Sequence, residues 1–510
     1  MLTALGWQNG LRVRSEMEWT HKPGSRQTPG WSCSERMWSG LIVIAALVGA
    51  GLRCFHYFAD PSVWHDEAAL ILNVIDKGWL DLLGPLYFAE AAPPLFLWLE
   101  HAVYLVLGDG TYMLRLLPFL ASVGSLLLMV RLARHLLSPR GAFFAVLLFA
   151  FSDRLLWHSC EAKPYALDVF FAVLLPLLFV ETLHWRISRQ IYLFALLAPL
   201  TIFTIYPGCF LMGGAALALG RRLWEAHEDG KRSWRAFALL GISIVVSFAL
   251  LYVGPVQAQR CDAMDSCWVR TFPDWGRPWS WPGWALLSSI HVVDYCFRPV
   301  GGAWIVLAVV GMSRWRRDAA IWWLFLTPIG LAMVAGLLHA YPYTGARVMV
   351  FALPALALFI AVGTEVVLTW LDARLSQSVP STKLARMATA FLVVWLAVPV
   401  GWSFYRVVKP WRRADCASAA RFILAERRPQ DFVIGSSWES QYYFRRLSES
   451  IAETKEPPPD RRVWYLYSAE MPKRELLQSA LRSVPEDRRV LATRFFEHIV
   501  VLLLDRAERR

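Results

Sequence analysis

The feature that most constrains this chain is a long succession of apolar runs separated by short polar segments. An α-helix rises about 1.5 Å per residue, so roughly 20 apolar residues cross a hydrocarbon core about 30 Å thick. The composition agrees, because 56% of the 510 residues are hydrophobic and only 18% are charged. We predict an α-helical polytopic membrane protein with about eleven spans. They lie near residues 38–58, 112–133, 141–157, 165–183, 191–206, 208–221, 236–255, 299–312, 319–339, 348–370 and 387–404.

The distribution of positive charge predicts the orientation. The net charge of +12 falls in short segments between apolar runs, as orientation signals do, and not in a basic module of the kind that binds nucleic acid. Basic residues precede the first span, so residues 1–37 are expected to be a cytoplasmic tail. With eleven crossings, the carboxyl terminus is then extracytoplasmic.

One apolar segment, at residues 93–107, is not expected to cross. It is short and carries Glu100 near its middle, and a crossing would place Arg131 and Arg134 outside, against the positive-inside rule. We predict that it lies in the interface or dips in and returns. The membrane domain, 38–404, then has a first external loop at about 59–111.

Residues 405–510 have a water-soluble composition and are predicted to form a small extracytoplasmic α/β domain. A Pro-rich linker begins at Glu456. The expected strands are 431–435, 461–467 and 499–504, and the expected helix is 473–482.

The eight cysteines show no zinc or redox spacing. Cys261 and Cys267 share one predicted external loop, and the sequence leaves open whether they form a disulfide.

The first candidate site is the carboxylate pair Asp66-Glu67 at the head of the external loop. The apolar-rich stretch after it predicts an amphipathic helix on the membrane, with both carboxylates in its first turn, where the helix dipole favours their ionised form. The alternative is an ordinary helix start with acidic residues near its cap.

Two further clusters lie on the same predicted side. Glu161, Lys163 and Asp168 follow the third span, where charges are costly unless paired or solvated, so they either line a wet cavity or form salt bridges within the bundle. Arg347 ends the segment Tyr341-Pro-Tyr-Thr-Gly-Ala-Arg. A guanidinium presents a planar fork of donors suited to phosphate, although an interfacial Arg also serves as an anchor.

The motifs occur in an order that resembles the GT-C glycosyltransferases, and most of all the bacterial relatives of protein O-mannosyltransferases and of the lipid A aminoarabinose transferase. The resemblance spans roughly residues 38–404. The motifs are Asp66-Glu67, Ala92-Pro-Pro, Arg115-Leu-Leu-Pro, Glu161-Ala-Lys-Pro-Tyr and Tyr341-Pro-Tyr-Thr-Gly-Ala-Arg.

This resemblance implies an acidic residue of the first external loop as base or metal ligand, and a sugar donor carried on a polyprenyl phosphate. By position, Asp66 becomes the general base, with Glu67 in support, and Arg347 and Lys163 bind the donor phosphate. Many relatives have His or Glu where this chain has Ala92, so that role is lost or shifted to Glu90. No cofactor is implied with certainty, and a divalent metal is left open. The residues expected to line the cavity or acceptor site are His65, Glu90, Glu161, Tyr165, Asp168 and Tyr343.

The sequence therefore favours an inverting glycosyltransferase of the inner (plasma) membrane that acts on the extracytoplasmic side. The acceptor, a lipid, glycan or protein hydroxyl, is not identified. The alternative is a transporter or lipid flippase. Transporters place ionisable residues near the bilayer midplane and often show inverted repeats, whereas the charges here collect at one face.

Overall fold

The computed structural model describes residues 33–225, 230–299, 301–315, 319–375, 382–447, 450–452 and 461–506. Most of the predicted cytoplasmic tail, 1–37, and the Pro-rich linker lie outside these ranges. The first helix begins at Cys33, five residues before the predicted start of the first span at residue 38.

The membrane domain is helical throughout. Its helices are α1 Cys33–Phe58, α2 His65–Asp76, α3 Pro94–Leu107, α4 Thr111–Leu114, α5 Leu116–Leu136, α6 Pro139–Ala150, α7 Asp153–His158, α8 Tyr165–Glu181, α9 Ile187–Thr204, α10 Gly208–Glu225, α11 Gly230–Leu251, α12 Gln257–Gln259, α13 Asp262–Trp268, α14 Trp281–Cys296, α15 Trp304–Trp315, α16 Ala319–Leu337, α17 Leu353–Leu375 and α18 Thr382–Val408. A 3₁₀ segment, Arg347–Ala352, leads into α17.

Every predicted span coincides with a helix, but the helices differ in length. Within the described ranges, seven are long and apolar enough to cross a membrane, or eight if the bent pair Pro278–Cys296 and Gly301–Trp315 counts as one span. Helices α6 and α8 are shorter, at 12 and 17 residues. The protein is a polytopic membrane protein, and the number of about eleven crossings stays a prediction. Helix α3 has 14 residues, or roughly 21 Å of rise, less than a hydrocarbon core.

Close helix packing depends on small residues. A Cβ atom on Gly311 of α15 would lie 1.9 Å from the carbonyl oxygen of Phe359 in α17, and one on Gly363 would lie 2.0 Å from the carbonyl oxygen of Leu307. Only glycine lets the two backbones approach this closely, which is a common device between helices in membranes.

The carboxyl-terminal residues form a five-stranded sheet in the order β2-β1-β3-β5-β4. Strand β1 is parallel to both β2 and β3, and β5 pairs antiparallel with both β3 and β4. The elements are α19 Cys416–Glu426, β1 Phe432–Gly435, α20 Trp438–Phe444, β2 Ser450–Ala452, β3 Val463–Ser468, α21 Lys473–Arg482, β4 Arg488–Phe496 and β5 Ile499–Arg506.

Helices cover both faces of this sheet. Val433 and Trp464 pack with α19 on one face, while their neighbours Phe432 and Tyr465 pack with α21 on the other. Because consecutive strand residues point to opposite faces, β1 and β3 are buried on both sides and have apolar sequences without alternation. The predicted elements in 431–435, 461–467, 473–482 and 499–504 are confirmed in type, and α19, α20, β2 and β4 are additional.

The sheet domain packs against both ends of the first loop. The Tyr443 hydroxyl accepts a hydrogen bond from the Val63 amide at 3.0 Å, just before α2. Near the other end, Tyr442 donates to the Asp109 carbonyl at 2.8 Å, and the Asp109 carboxylate pairs with Arg445. The loop that carries the candidate carboxylates is therefore held by a second domain.

Candidate functional site

Helix α2 begins at His65, so Asp66 and Glu67 lie in its first turn, as predicted. Consecutive side chains on a helix point about 100° apart. The Asp66 side chain is 23% exposed, whereas that of Glu67 is fully buried. The two carboxylates consequently meet different partners.

Asp66 faces a cluster of cationic groups. Its Oδ2 atom lies 2.5 Å from Nη2 of Arg347 and 3.5 Å from Nζ of Lys163. Lys163 also pairs with Glu90, and the Lys163 side chain is almost fully buried. Burial and the nearby Asp66 raise the pKa of Glu90, whereas Lys163 and Arg347 oppose that rise. Four residues that lie far apart in the sequence therefore converge into one charged cluster.

Arg347 is fixed by aromatic rings as well as by charge. Its guanidinium carbon lies 5.4 Å from the centre of the Trp64 ring and 5.8 Å from that of Tyr165. Contacts of a guanidinium with aromatic faces at these distances are attractive. The donor fork of Arg347 is thus oriented beside Asp66.

Glu67 points into the protein interior and forms a paired, two-point contact with Arg115. Its two carboxylate oxygens accept from Nε and Nη2 of Arg115 at 2.7 and 2.8 Å, and the Ala162 amide donates to Oε1 at 2.9 Å. Both side chains of the pair are buried. Glu67 therefore anchors α2 to the start of α5 and to the segment that contains Glu161 and Ala162, and it does not face the charged cluster around Asp66.

Glu161 is also buried, and its carboxylate binds three neighbouring side chains. Its carboxylate accepts from the indole N–H groups of Trp64 at 3.0 Å and Trp157 at 2.7 Å, and lies 2.5 Å from Nδ1 of His158. Burial opposes ionisation of Glu161, but His158 and nearby arginines outweigh it and hold the pKa of Glu161 at about 2. Nε2 of His158 is in turn 3.0 Å from the Tyr295 hydroxyl.

The aromatic partners of Glu161 and Arg347 border a cavity of about 410 Å³. This volume is within the range of about 300–1,000 Å³ typical of small-molecule sites. Its lining combines aromatic and basic side chains, and Arg347 connects it to the Asp66 cluster. The lining residues are Trp64, Arg154, Trp157, His158, Cys267, Trp268, Tyr295, Ala346 and Arg347.

The structure places several other predicted residues elsewhere. His65 is half-exposed and stacks on Trp438 of the sheet domain with a ring separation of 3.7 Å, and it is not among the residues that line the cavity. Tyr343 is buried, and its hydroxyl lies 2.8 Å from that of Ser289 on α14. Asp168 is buried in α8, and its Oδ1 atom has no hydrogen-bond partner among the described residues. Tyr165 borders the site through its ring.

Sequence reasoning missed Arg154, Trp268 and Tyr295 as cavity residues. Arg154 carries the same signal that selected Arg347, a basic residue beside aromatic residues near the end of an apolar run. Tyr295 has no such signal, because it is an ordinary aromatic residue of α14 and its partner His158 is 137 positions away.

The sequence left open whether the site holds a divalent metal. Across the described ranges, no group of three or more His, Cys, Asp or Glu side chains could hold a metal ion. The carboxylates of the charged cluster, Asp66 and Glu90, each lie against cationic groups. These residues therefore do not fit a divalent cation in this arrangement. Cys261 and Cys267 are both free thiols.

Comparison with known proteins gives no relative by sequence, since neither a protein-family model nor a curated protein matches the chain. Solved structures do match. ArnT from Cupriavidus metallidurans in the apo state has a TM-score of 0.50 at 14% identity, covering 92% of this chain and 98% of the ArnT chain. The same ArnT bound to undecaprenyl phosphate gives a TM-score of 0.51 at 13% identity, with the same coverage.

This chain has the GT-C fold. The similarity to ArnT extends over nearly the whole of both chains, so it includes the carboxyl-terminal sheet domain as well as the helices. The fold expected from the motif order is thereby confirmed. An oligosaccharyltransferase from Archaeoglobus fulgidus in the apo form also matches, with a TM-score of 0.45 at 15% identity over 81% of this chain and 64% of that chain.

Proposed function

We propose that this protein is a membrane glycosyltransferase that moves a sugar from a polyprenyl phosphate to an acceptor hydroxyl, with inversion at the anomeric carbon. The observation that carries the proposal is the cluster of Asp66, Arg347 and Lys163, with the carboxylate of Asp66 at 2.5 and 3.5 Å from the two cationic groups. The GT-C fold supports it, and ArnT, which shares that fold, is known bound to undecaprenyl phosphate. We place the reaction on the extracytoplasmic face of the inner membrane, the side assigned to the first loop by the charge distribution.

The chemistry follows from the charges. Asp66 accepts the proton of the acceptor hydroxyl as its oxygen attacks the anomeric carbon. The bond between that carbon and the phosphate oxygen breaks, and its electron pair leaves with the polyprenyl phosphate. Arg347 and Lys163 stabilise the negative charge that develops on this phosphate. Because phosphate leaves readily as an anion, the step requires no strong general acid.

The ion pair between Asp66 and Arg347 couples the binding of the sugar donor to the role of Asp66 as base. A guanidinium has five N–H donors in a planar fork, so Arg347 is able to contact a phosphate and Asp66 together. A bound phosphate competes with Asp66 for the same positive charge and leaves the carboxylate more available as a base. Lys163 remains in place during this exchange through its separate pair with Glu90.

The direct test is to incubate the purified full chain with polyprenyl-phosphate-linked sugars and to measure released polyprenyl phosphate, with and without a chelator. Transfer is expected with a suitable acceptor and is expected to persist in the chelator, since Asp66 and Glu90 are paired with cationic side chains. Absence of lipid phosphate release across donors with neutral, acidic and amino sugars would contradict the proposal.

A further inference from the structure

The cavity beside Arg347 has an unbalanced charge. Its lining includes two basic residues, Arg154 and Arg347, and no acidic residue. Arg347 is matched by Asp66 at 2.5 Å. Arg154 has a looser ion pair, because Nη2 of Arg154 is 3.6 Å from Oδ2 of Asp153, too far for a hydrogen bond.

Asp153 is moreover already engaged. Its Oδ1 atom accepts from Nε of Arg406 at 2.8 Å and from the indole N–H of Trp411 at 3.0 Å. One carboxylate is therefore shared between Arg154 and Arg406, which leaves this group of three side chains with a net positive charge, and Arg154 is its member that lines the cavity. Nε of Arg154 is buried and has no hydrogen-bond partner in the described part of the chain.

Arg154 is nevertheless held in position. Its guanidinium carbon lies 5.1 Å from the centre of the Tyr295 ring, and the hydroxyl of that tyrosine is fixed by His158 at 3.0 Å. The Arg154 side chain is 16% exposed. It is thus an oriented basic group with unused donors, bordering a space large enough for a sugar.

The nearby carboxylate of Glu161 does not neutralise this positive charge for a ligand in the cavity. The carboxylate of Glu161 accepts hydrogen bonds from two indoles and lies against His158. Glu161 is fully buried and is not among the residues that line the cavity. Asp66, which the proposed reaction assigns to the acceptor hydroxyl, is not among the lining residues. A cationic sugar in the cavity would therefore meet Arg154 and Arg347 and no carboxylate of the cavity lining, and like charges in one pocket disfavour such a ligand.

We propose that this cavity receives the sugar end of a donor that carries an anionic group in addition to the phosphate held by Arg347, and that Arg154 binds this second anion. The indoles of Trp64, Trp157 and Trp268 supply apolar surface for the sugar ring. The second anion is a carboxylate or phosphate, either on the sugar or, for phosphate, in a diphosphate linkage. The inference rests on the proposed function for the identity of the lipid phosphate, and it adds the class of donor.

The experiment measures the affinity of the full chain in detergent micelles for four short-chain donors. These are glucuronic acid, glucose and glucosamine each linked to farnesyl phosphate, and glucose linked to farnesyl diphosphate. One or both of the donors with two anionic groups are expected to bind about tenfold or more tightly than the glucosyl monophosphate, the usual strength of a hydrogen bond to a charged group. The glucosaminyl donor is expected to bind weakest. Which of the two dianionic donors binds more tightly distinguishes a sugar carboxylate from a second phosphate.

Two variants assign the preference to Arg154. Arg154→Gln is expected to reduce the ratio of affinities to within about twofold, whereas Arg154→Lys retains part of it because the charge remains. Arg270→Gln is the matched control, since Arg270 borders a separate cavity of about 680 Å³. If Arg154→Gln does not fold, the ratio of the affinities for the dianionic and neutral donors is compared between the wild type and Arg154→Lys. An equal ratio in the two proteins would then contradict the role of Arg154.

The outcomes separate this inference from the proposed function. Equal affinities, tightest binding of the glucosaminyl donor, or an unchanged preference in Arg154→Gln would overturn the role of Arg154, and transfer from the neutral donor would then leave the glycosyltransferase proposal standing. A preference that depends on Arg154, without release of lipid phosphate from any donor, would support the binding site and contradict the transfer reaction. Failure to bind any of the four donors would overturn both.

Discussion

Helix α2 places two adjacent carboxylates in contrasting surroundings on its two sides. On one side, Asp66 is partly exposed and meets two cationic groups, one of which, Arg347, lines the cavity. On the other, Glu67 is buried and meets Arg115 through two hydrogen bonds. The first arrangement leaves room for a substrate to compete for the charges, whereas the second leaves none.

We infer that burial, and not residue type, separates the carboxylate proposed to react from the one that anchors α2. A buried charge pair with full hydrogen bonding is costly to break, since removal of one partner leaves an uncompensated charge. A partly solvated pair loses less when a ligand replaces one partner. Substitutions at the two positions are therefore expected to affect different measured quantities.

The largest effect is expected for Asp66→Asn. The amide keeps the size of the side chain but cannot take a proton, so turnover is expected to fall by about 10² to 10⁴, the usual share of general acid–base catalysis. Membrane insertion and thermal melting are expected to stay near those of the wild type. The measurement is lipid phosphate release at matched protein levels and saturating donor. A near-normal rate would remove Asp66 as the base.

Glu67→Gln is expected to act on stability. Breaking a buried ion pair costs about 3–5 kcal/mol. The Arg115 side chain that remains is almost fully buried and keeps the partly exposed Asp60 as a partner at 2.9 Å, so the loss is expected near the lower end of that range. The expected result is a lower melting temperature and yield, with turnover per folded molecule reduced less than in Asp66→Asn. Glu67→Gln and Asp66→Asn make the same chemical change one position apart, so each is the other's control. A stable Glu67→Gln protein that has lost turnover would exchange the two roles.

Much of the fold was predictable because its signals are local. Apolar runs of spanning length marked the membrane helices, and short apolar segments such as 499–504 marked strands buried on both faces. Strand β4, Arg488–Phe496, gave no such signal, since it is an edge strand and most of its residues are exposed. An edge strand needs no apolar run and commonly carries charged residues that discourage further pairing.

The site was predictable only in part, because its partners are distant in sequence. The pair at residues 66 and 67 stood out as carboxylates at a membrane edge, but which of them meets Arg347 depends on the rotation of α2. The partner of Glu67, Arg115, is 48 positions away, and it appeared in the sequence only as part of a motif without a role. The sequence predicted His65 at the cavity because it is next to Asp66. Its ring instead stacks on Trp438, in the domain at the other end of the chain.

Arg347→Lys sharpens the comparison on the exposed side. Lysine keeps the charge but loses the planar fork of donors and the stacking on Trp64 and Tyr165. The donor concentration at half-maximal rate is expected to rise by about tenfold, since one or two charge-assisted hydrogen bonds are weakened. Steady-state kinetics over a range of donor concentrations measure it, with Arg270→Lys as the control. Unchanged donor dependence, tested again in Arg347→Ala, would take Arg347 out of the donor site.

The weakest effect is expected at His65, which precedes Asp66 in α2 and has different partners from both carboxylates. Its ring stacks on Trp438 at 3.7 Å, and its Nδ1 atom lies 3.5 Å from the carboxylate of Glu439. The His65 side chain is half-exposed, and an aromatic contact of this kind contributes about 0.5–1.5 kcal/mol before solvent exposure weakens it. His65→Ala is therefore expected to lower the melting temperature slightly and turnover by no more than about threefold, a change that corresponds to less than about 1 kcal/mol. Trp438→Ala removes the same stack from the other domain, so a double-mutant cycle should give a double variant little worse than either single variant. Additive losses would show that the stack does not couple the domains, and a loss of turnover in His65→Ala as large as that in Asp66→Asn would show that His65 acts at the reacting cluster after all.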